Sequence, residues 1–164
     1  MILIGLGANI PSAPSIPPQA TLARALEALE EEGVRVLARS RWYRSAPVPI
    51  SDQPWFINAV AAVATELSPA PLMALLHRIE ARFGRVRRQR NEARPLDLDL
   101  LAYGTRVETG EGGLILPHPR LENRAFVLLP LAEIAPEWRH PVSDAAISSL
   151  IAALPPDQTA EPLD

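Results

Sequence analysis

Apolar residues change their spacing several times along this chain, and each change marks an element. Met1–Ala8 is almost continuously apolar, the pattern of a buried strand. Prolines 11, 14, 17 and 18 keep Asn9–Pro18 from being helical. Leu22, Leu26 and Leu29 then recur at i, i+4 and i+7 with alanines between them, and Gly33 supplies the left-handed residue that closes a helix. The Glu30–Glu32 run reads as its solvated face. Val34–Arg44 alternates, with Val34, Val36 and Ala38 on one face and Arg35, Arg39 and Arg41 mostly on the other, which predicts a half-buried strand. Ser45–Pro54 carries three prolines and is an irregular connection, after which Trp55–Leu67, rich in Val and Ala, resumes as a strand. Ser68 is placed to cap a helix with Pro69 at its first position; Leu72, Leu76, Ile79 and Phe83 form its stripe and Gly84 ends it.

Beyond that helix, Arg85–Pro95 is a polar loop, Leu96–Tyr103 a strand, and Thr105–Pro117 a second strand or hairpin arm around three glycines. Short helices are expected over Arg124–Ile134 and Ser143–Leu154, and a disordered acidic tail over Pro155–Asp164. The order strand, helix, strand, strand, helix, strand predicts an α+β protein of the ferredoxin-like, split βαβ arrangement, with a mainly antiparallel sheet and a single domain over 1–154.

Composition narrows the chemistry. With 164 residues, 48% apolar, the chain suits one domain burying roughly 70% of its unfolded surface. Sixteen cationic against 19 anionic residues give a formal charge of −3, so no general basic coat for duplex DNA or an anionic membrane is present and any basic site must be local. There is no cysteine, which removes disulfides, thiolate nucleophiles and Cys-ligated metals and points to the cytoplasm. No apolar run approaches the about 18 residues of a membrane span, and the N-terminus lacks the basic start of a signal peptide. All 16 cations are arginine, so a P-loop or Schiff-base lysine is impossible, although compositional bias accounts for the missing lysine more simply than function does.

Three segments carry candidate chemistry. In Arg94-Pro-Leu-Asp97-Leu-Asp99-Leu-Leu, two carboxylates at i and i+2 share one face of a strand, with Leu96, Leu98 and Leu100 on the other. Such a pair suits Mg²⁺, which takes one or two carboxylates and completes its shell with water and phosphate oxygens. A half-exposed strand over a leucine core would read the same way. Immediately upstream, Gly84–Arg94 holds five arginines against one Glu, a local +4 able to grip phosphate oxygens. A solvated basic run is the ordinary alternative, but here it abuts the Asp pair. In the third segment, Phe56 and Asn58 share a strand face, so a ring and an amide are offered together to a flat heterocycle or, equally, to the protein's own core. Gly5-Leu6-Gly7 is no dinucleotide fingerprint, because Ile10 takes the third glycine position and a proline loop follows. Of the three histidines, His118 sits between prolines that could aim it, His77 lies beside a core stripe and His140 is expected at the surface; none has zinc-ligand spacing to another. A nucleic-acid module and a non-catalytic interaction domain are the rival classes, the first lacking a stacking aromatic in the arginine loop, the second giving no reason for the Asp pair.

Taken in order, Gly7-Ala-Asn9, Tyr43-Arg-Ser-Ala-Pro-Val48, Asp52-Gln-Pro-Trp-Phe-Ile-Asn58, Arg94-Pro-Leu-Asp-Leu-Asp99, Leu116-Pro-His-Pro-Arg120, Arg124-Ala-Phe126 and Pro130–Pro136 resemble the 6-hydroxymethyl-7,8-dihydropterin pyrophosphokinases of folate biosynthesis. The resemblance implies a three-layer αβα sandwich and transfer of the β,γ-diphosphate of ATP to the pterin hydroxymethyl group, releasing AMP. It implies two Mg²⁺ ions on Asp97 and Asp99, with Arg85 and Arg94 around the transferring diphosphate. Arg87, Arg90, Leu100, His118 and Arg124 fall on the nucleotide side. Gly7, Ser45, Ala46, Val48, Asn58 and the ring pair Phe56 and Phe126 fall on the pterin side. ATP and the pterin alcohol are then the partners, with no nucleic acid or membrane, and a monomer is the simplest assembly. Asn91-Glu92-Ala93 stands where the family commonly has Trp-Gly-Pro.

Overall fold

The structure is a computed structural model and describes residues 1–85 and 92–163. Six strands form one sheet: β1 (Ile2–Ala8), β2 (Arg35–Arg39), β3 (Tyr43–Ser45), β4 (Phe56–Ala64), β5 (Asp97–Tyr103) and, after a small hairpin of β6 (Glu108–Thr109) and β7 (Ile115–Leu116), β8 (Ala160–Pro162). The order is β5-β1-β4-β3-β8, with β2 also on β4, and every pairing is antiparallel.

Helices α1 (Pro18–Glu31) and α2 (Pro69–Arg82) cover one face. Their Leu22, Leu29, Leu72, Leu76 and Ile79 pack on Ile4, Leu6, Ala61, Leu98 and Leu100. Helices α3 (Ala125–Ile134) and α4 (Ile147–Ala152) cover the other, setting Leu128, Leu131, Ile147 and Leu150 against Leu3, Val60 and Leu101. This is the expected ferredoxin-like αβα arrangement. None of the described helices is long and apolar enough to cross a membrane.

Both long helices begin at proline, whose fixed φ suits the first turn and whose missing N–H costs nothing there. Ser68 holds the capping position of α2, but its hydroxyl makes no capping bond. The C-terminus of α2 matters more. Gly84 adopts φ +89°, so its N–H reaches the Ala81 carbonyl (3.0 Å) and that of Arg85 the Glu80 carbonyl (3.1 Å). That reversal returns Arg85 to the helix end, toward the sheet.

Four expectations are corrected. Val34–Arg44 is two strands, because Ser40 interrupts it: its N–H bonds the Val60 carbonyl while its hydroxyl accepts from the Val60 N–H (3.0 Å). With a register shift between Val36 and Ala38, β2 is also mostly exposed, not half-buried. The helix expected from Ser143 starts only at Ile147, since Arg139 and Ala146 form a bridge and Asp144 turns at φ +59°. His140, expected at the surface, is buried, its Nδ1 accepting from the Val142 and Ser143 N–H groups. Finally, Pro155–Asp164 is not a disordered tail through its described length: residues 160–162 pair with β3, where an open strand edge offers unpaired backbone groups.

Candidate active site

On β1, alternation sends Ile4, Leu6 and Ala8 to the α1–α2 side and Leu3, Gly5 and Gly7 to the α3 side. The two glycines leave a hollow there. Gly5 lies opposite Asp99 on β5, and Gly7 lies between Asp97 on β5 and Asn58 on β4. A Cβ on Gly7 would stand 3.0 Å from Asn58 Nδ2, so a side chain at this position would displace the amide. The pair that fails as a dinucleotide motif therefore clears space for two carboxylates and an amide.

Asp97 and Asp99 share the face their spacing predicts, above Leu98 and Leu100 in the core. The Leu100 side chain accordingly points away from the hollow, so of this expected nucleotide-side residue only the backbone could serve. Arg85 donates to Asp97 Oδ1 (2.6 Å), to the Leu96 carbonyl (3.1 Å) and to Glu80 Oε2 (3.3 Å). Arg94 reaches Asp97 Oδ2 (3.3 Å) and is held by the Glu92 carbonyl (2.9 Å). Arg87 and Arg90 lie outside the described residues. Burial, and then the neighbouring Asp97 carboxylate, push the Asp99 carboxyl up to about 7.

Beside the carboxylates is a cleft whose empty space, counted to its open mouth, is about 480 Å³. Every residue expected on the substrate side lines it: Gly7, Ser45, Ala46, Val48, Phe56, Asn58 and Phe126. Asp97, Arg94 and Arg124 form its charged end. Ser45 Oγ donates to Asn58 Oδ1 (2.5 Å), which fixes the amide's orientation. The guanidinium carbons of Arg94 and Arg124 stand 5.3 and 5.2 Å from the Phe56 and Phe126 ring centroids, within cation–π range.

His118 does not line the cleft, yet it is tied to the same strand, its N–H donating to the Leu101 carbonyl (2.8 Å). Its Nδ1 accepts from the Arg120 N–H, leaving the ring proton on Nε2. Burial, then the charge of Arg124, lower its pKa to about 4. Burial also lowers the Arg124 guanidinium from its ordinary value.

Sequence reasoning missed three supporting groups. Asn9, almost wholly buried, donates to Gln53 Oε1 and the Pro54 carbonyl (both 3.0 Å) and accepts from the Arg94 N–H (2.8 Å), joining the end of β1 to both flanking loops. Gln53 itself lines the cleft. Glu80 is buried on α2 and accepts from the Leu98 N–H (2.8 Å) as well as from Arg85. Its signal was present: Leu72, Leu76 and Glu80 recur every four residues, so a carboxylate interrupts an apolar stripe.

What could occupy the charged end follows from its donors. Among the described residues no group of three His, Cys, Asp or Glu could enclose an ion. Two carboxylates on one face instead fit a hard cation that takes its remaining ligands from water and phosphate. Among the described residues Arg85 Nε is buried without a hydrogen-bond partner, a donor suited to an acceptor at the same spot. Two carboxylates and the arginines beside them, at one end of a cleft walled by Phe56, Phe126 and Asn58, are the kinds of group that a transferase of phosphoryl groups requires.

Comparison with known proteins makes this particular. A profile of the 7,8-dihydro-6-hydroxymethylpterin-pyrophosphokinase family matches residues 3–136, a span containing every group just described. The 2-amino-4-hydroxy-6-hydroxymethyldihydropteridine pyrophosphokinase of Methylorubrum extorquens is 46% identical over 135 residues, 82% of each chain. That of Pseudomonas aeruginosa is 39% identical over 155 residues, 94% of this chain and 91% of its own. Among solved structures, the Plasmodium falciparum HPPK-DHPS superposes with a TM-score of 0.72 at 14% identity, over 92% of this chain but only 40% of that one, a likeness of fold. The chain belongs to the 7,8-dihydro-6-hydroxymethylpterin-pyrophosphokinase family.

Proposed function

We propose that this protein transfers the β,γ-diphosphate of ATP to the hydroxymethyl group of 6-hydroxymethyl-7,8-dihydropterin, releasing AMP, and that the two ends of its site divide the work. The observation that carries this reading is the double role of Asp97, which lines the flat cleft and is also gripped by Arg85 and Arg94. A ring alcohol seated in the cleft would meet the phosphate-handling groups at that carboxylate.

In this reading Asn58, oriented by Ser45, hydrogen-bonds the edge of the pterin while Phe56 and Phe126 hold its faces. The Ala46 N–H is occupied by the Thr159 carbonyl (3.2 Å), so Ala46 would contribute its own carbonyl rather than its N–H. Asp97 and Asp99 would hold Mg²⁺, two ions in our reading, supplying charge neutralisation at the phosphates. Arg85 and Arg94, released from Asp97 or shared with it, bind the transferring oxygens, with Arg87 and Arg90 as further donors. His118, Arg124 and the Leu100 backbone belong to the nucleotide side. Catalysis is then positioning and charge stabilisation: the pterin oxygen attacks the β-phosphorus as AMP departs, and the arginines oppose the charge that builds up. We expect a monomer, and the cysteine-free sequence points to the cytoplasm.

Incubation with ATP, Mg²⁺ and the reduced pterin alcohol should yield AMP and the pterin diphosphate; formation of ADP instead would refute the diphosphate transfer. Arg85→Ala and Arg94→Ala should each lower kcat by on the order of 10²–10³ with a smaller effect on pterin affinity.

A further inference from the structure

The two walls of the cleft come from distant parts of the chain. Ser45 and Ala46 lie at the end of β3, whereas Arg124 and Phe126 lie at the start of α3. Consecutive residues near the C-terminus bond to both. Gln158 Oε1 accepts from the Ala125 N–H (2.8 Å) and its Nε2 donates to the Asn123 carbonyl (2.7 Å), so one side-chain amide brackets Arg124. The next residue, Thr159, accepts from the Ala46 N–H.

The strand that follows is anchored along β3. Ala160, Glu161 and Pro162 pair with Ser45, Arg44 and Tyr43; Arg44 and Glu161 form an ion pair (2.7 Å); and the Leu163 N–H donates to the Trp42 carbonyl (2.8 Å). With β8 fixed to one wall, the single peptide between Gln158 and Thr159 sets the distance to the other. The start of α3 needs such a partner. Its capping residue, Arg124, provides no side-chain cap, so the Ala125 N–H is one of the orphan donors of a helix N-terminus and Gln158 satisfies it from outside.

We propose that residues 158–163 are a positioning strap for the pterin side of the site, with Gln158 the residue that sets Arg124 and Phe126 against Ser45 and Asn58. The proposal rests on the cleft being the pterin site. Gln158 is not among the residues that line the cleft; it acts through the backbone on either side of Arg124. Its amide both donates and accepts, which neither a carboxylate nor an aliphatic side chain does at neutral pH.

The test compares Gln158→Ala, Gln158→Glu and Asn58→Ala with the unaltered full chain. It measures kcat, the KM of each substrate, the melting temperature and hydrogen exchange at the Ala125 amide. For Gln158→Ala the KM for the pterin alcohol should rise about five- to tenfold, the size of one or two neutral hydrogen bonds. Its kcat should stay within twofold, its ATP KM, which reports on Arg124, should rise less than the pterin KM, and Ala125 should exchange faster. Gln158→Glu, which keeps the acceptor and loses the donor, should fall between. A lowered melting temperature or active fraction with the pterin KM unchanged would make Gln158 merely structural and overturn the strap. So would an equal loss toward both substrates. If Asn58→Ala binds pterin normally, the cleft assignment itself fails and the strap with it; if Asn58→Ala is impaired and Gln158→Ala is silent, the strap alone is wrong.

Discussion

Gly7 and Asn58 form a pair in which one residue's lack of a side chain makes the other's position possible. Asn58 cannot swing aside, because Ser45 holds its Oδ1 at 2.5 Å while Nδ2 lies 3.0 Å from where a Gly7 Cβ would be. The backbone at Gly7 is ordinary strand, so alanine there acts through this contact, by pressing the Asn58 amide out of place. Gly7→Ala should therefore weaken pterin binding about tenfold, the worth of one well-placed hydrogen bond to a buried amide, with little change in melting temperature; titration by pterin fluorescence would measure it. His118 makes a second residue-level point. Its folded pKa of about 4 lies below the ordinary 6.5, so between these values the unfolded chain takes up a proton that the folded chain refuses. This contribution to stability is complete above pH 6.5 and is lost as pH falls toward 4, with a slope of up to about 1.4 kcal/mol per pH unit. Asp99, pushed up to about 7, takes up a proton on folding over the same range and opposes this slope, so the measurement is the difference between the unaltered chain and His118→Asn in urea unfolding, which should change by that amount between pH 4 and 6.5.

Elements meet at this site through a few buried polar side chains. Glu80 links α2 to β5 by accepting the Leu98 N–H, and it also holds Arg85, which the left-handed turn at Gly84 has brought back to the helix end. Glu80→Ala would leave the buried Leu98 N–H without its acceptor and take one of two carboxylates from Arg85, which keeps Asp97, at a cost of about 1–3 kcal/mol, whereas Glu80→Gln keeps an acceptor for Leu98 and should lose less; chemical denaturation would separate them. On the opposite face, Glu133 near the end of α3 accepts from Tyr43 on β3 and from the Arg41 N–H and guanidinium. Burial and the bond to Glu133 push the Tyr43 hydroxyl up to about 12, so it remains a donor at any physiological pH. The two long helices, α1 and α2, were legible because their leucines keep a helical period and end at Gly33 and Gly84. The strands were legible in kind but less so in extent. Ser40 breaks one long alternating run by offering a hydroxyl in place of a backbone group, and local pattern contains no trace of which distant N–H takes it.

For the molecule as a whole, the charged end of the site suits a cation and an anion together: Asp99 is pushed toward neutrality by burial and by Asp97, and among the described residues Arg85 Nε has no acceptor. Mg²⁺ together with a non-hydrolysable ATP analogue at about 100 times its Kd should add about 2.7 kcal/mol, a rise in melting temperature of roughly 5–10 °C for a domain of this size. A chelator should abolish the rise, and Asp97→Ala should never show it; scanning calorimetry would read both. The nature of this chemistry could be read from the chain alone. Two aspartates at i and i+2 must share a strand face, and five arginines directly upstream give a local +4, because strand geometry and charge are both local. Closure of the site depended on the fold. Gly5 and Gly7 matter only because β1 lies between β4 and β5, Glu80 only because α2 packs at the edge of β5, and Gln158 only because β8 completes the sheet beside β3. Each of these contacts joins residues far apart in sequence, and which distant backbone group takes which partner is decided by packing and register, not by any local pattern.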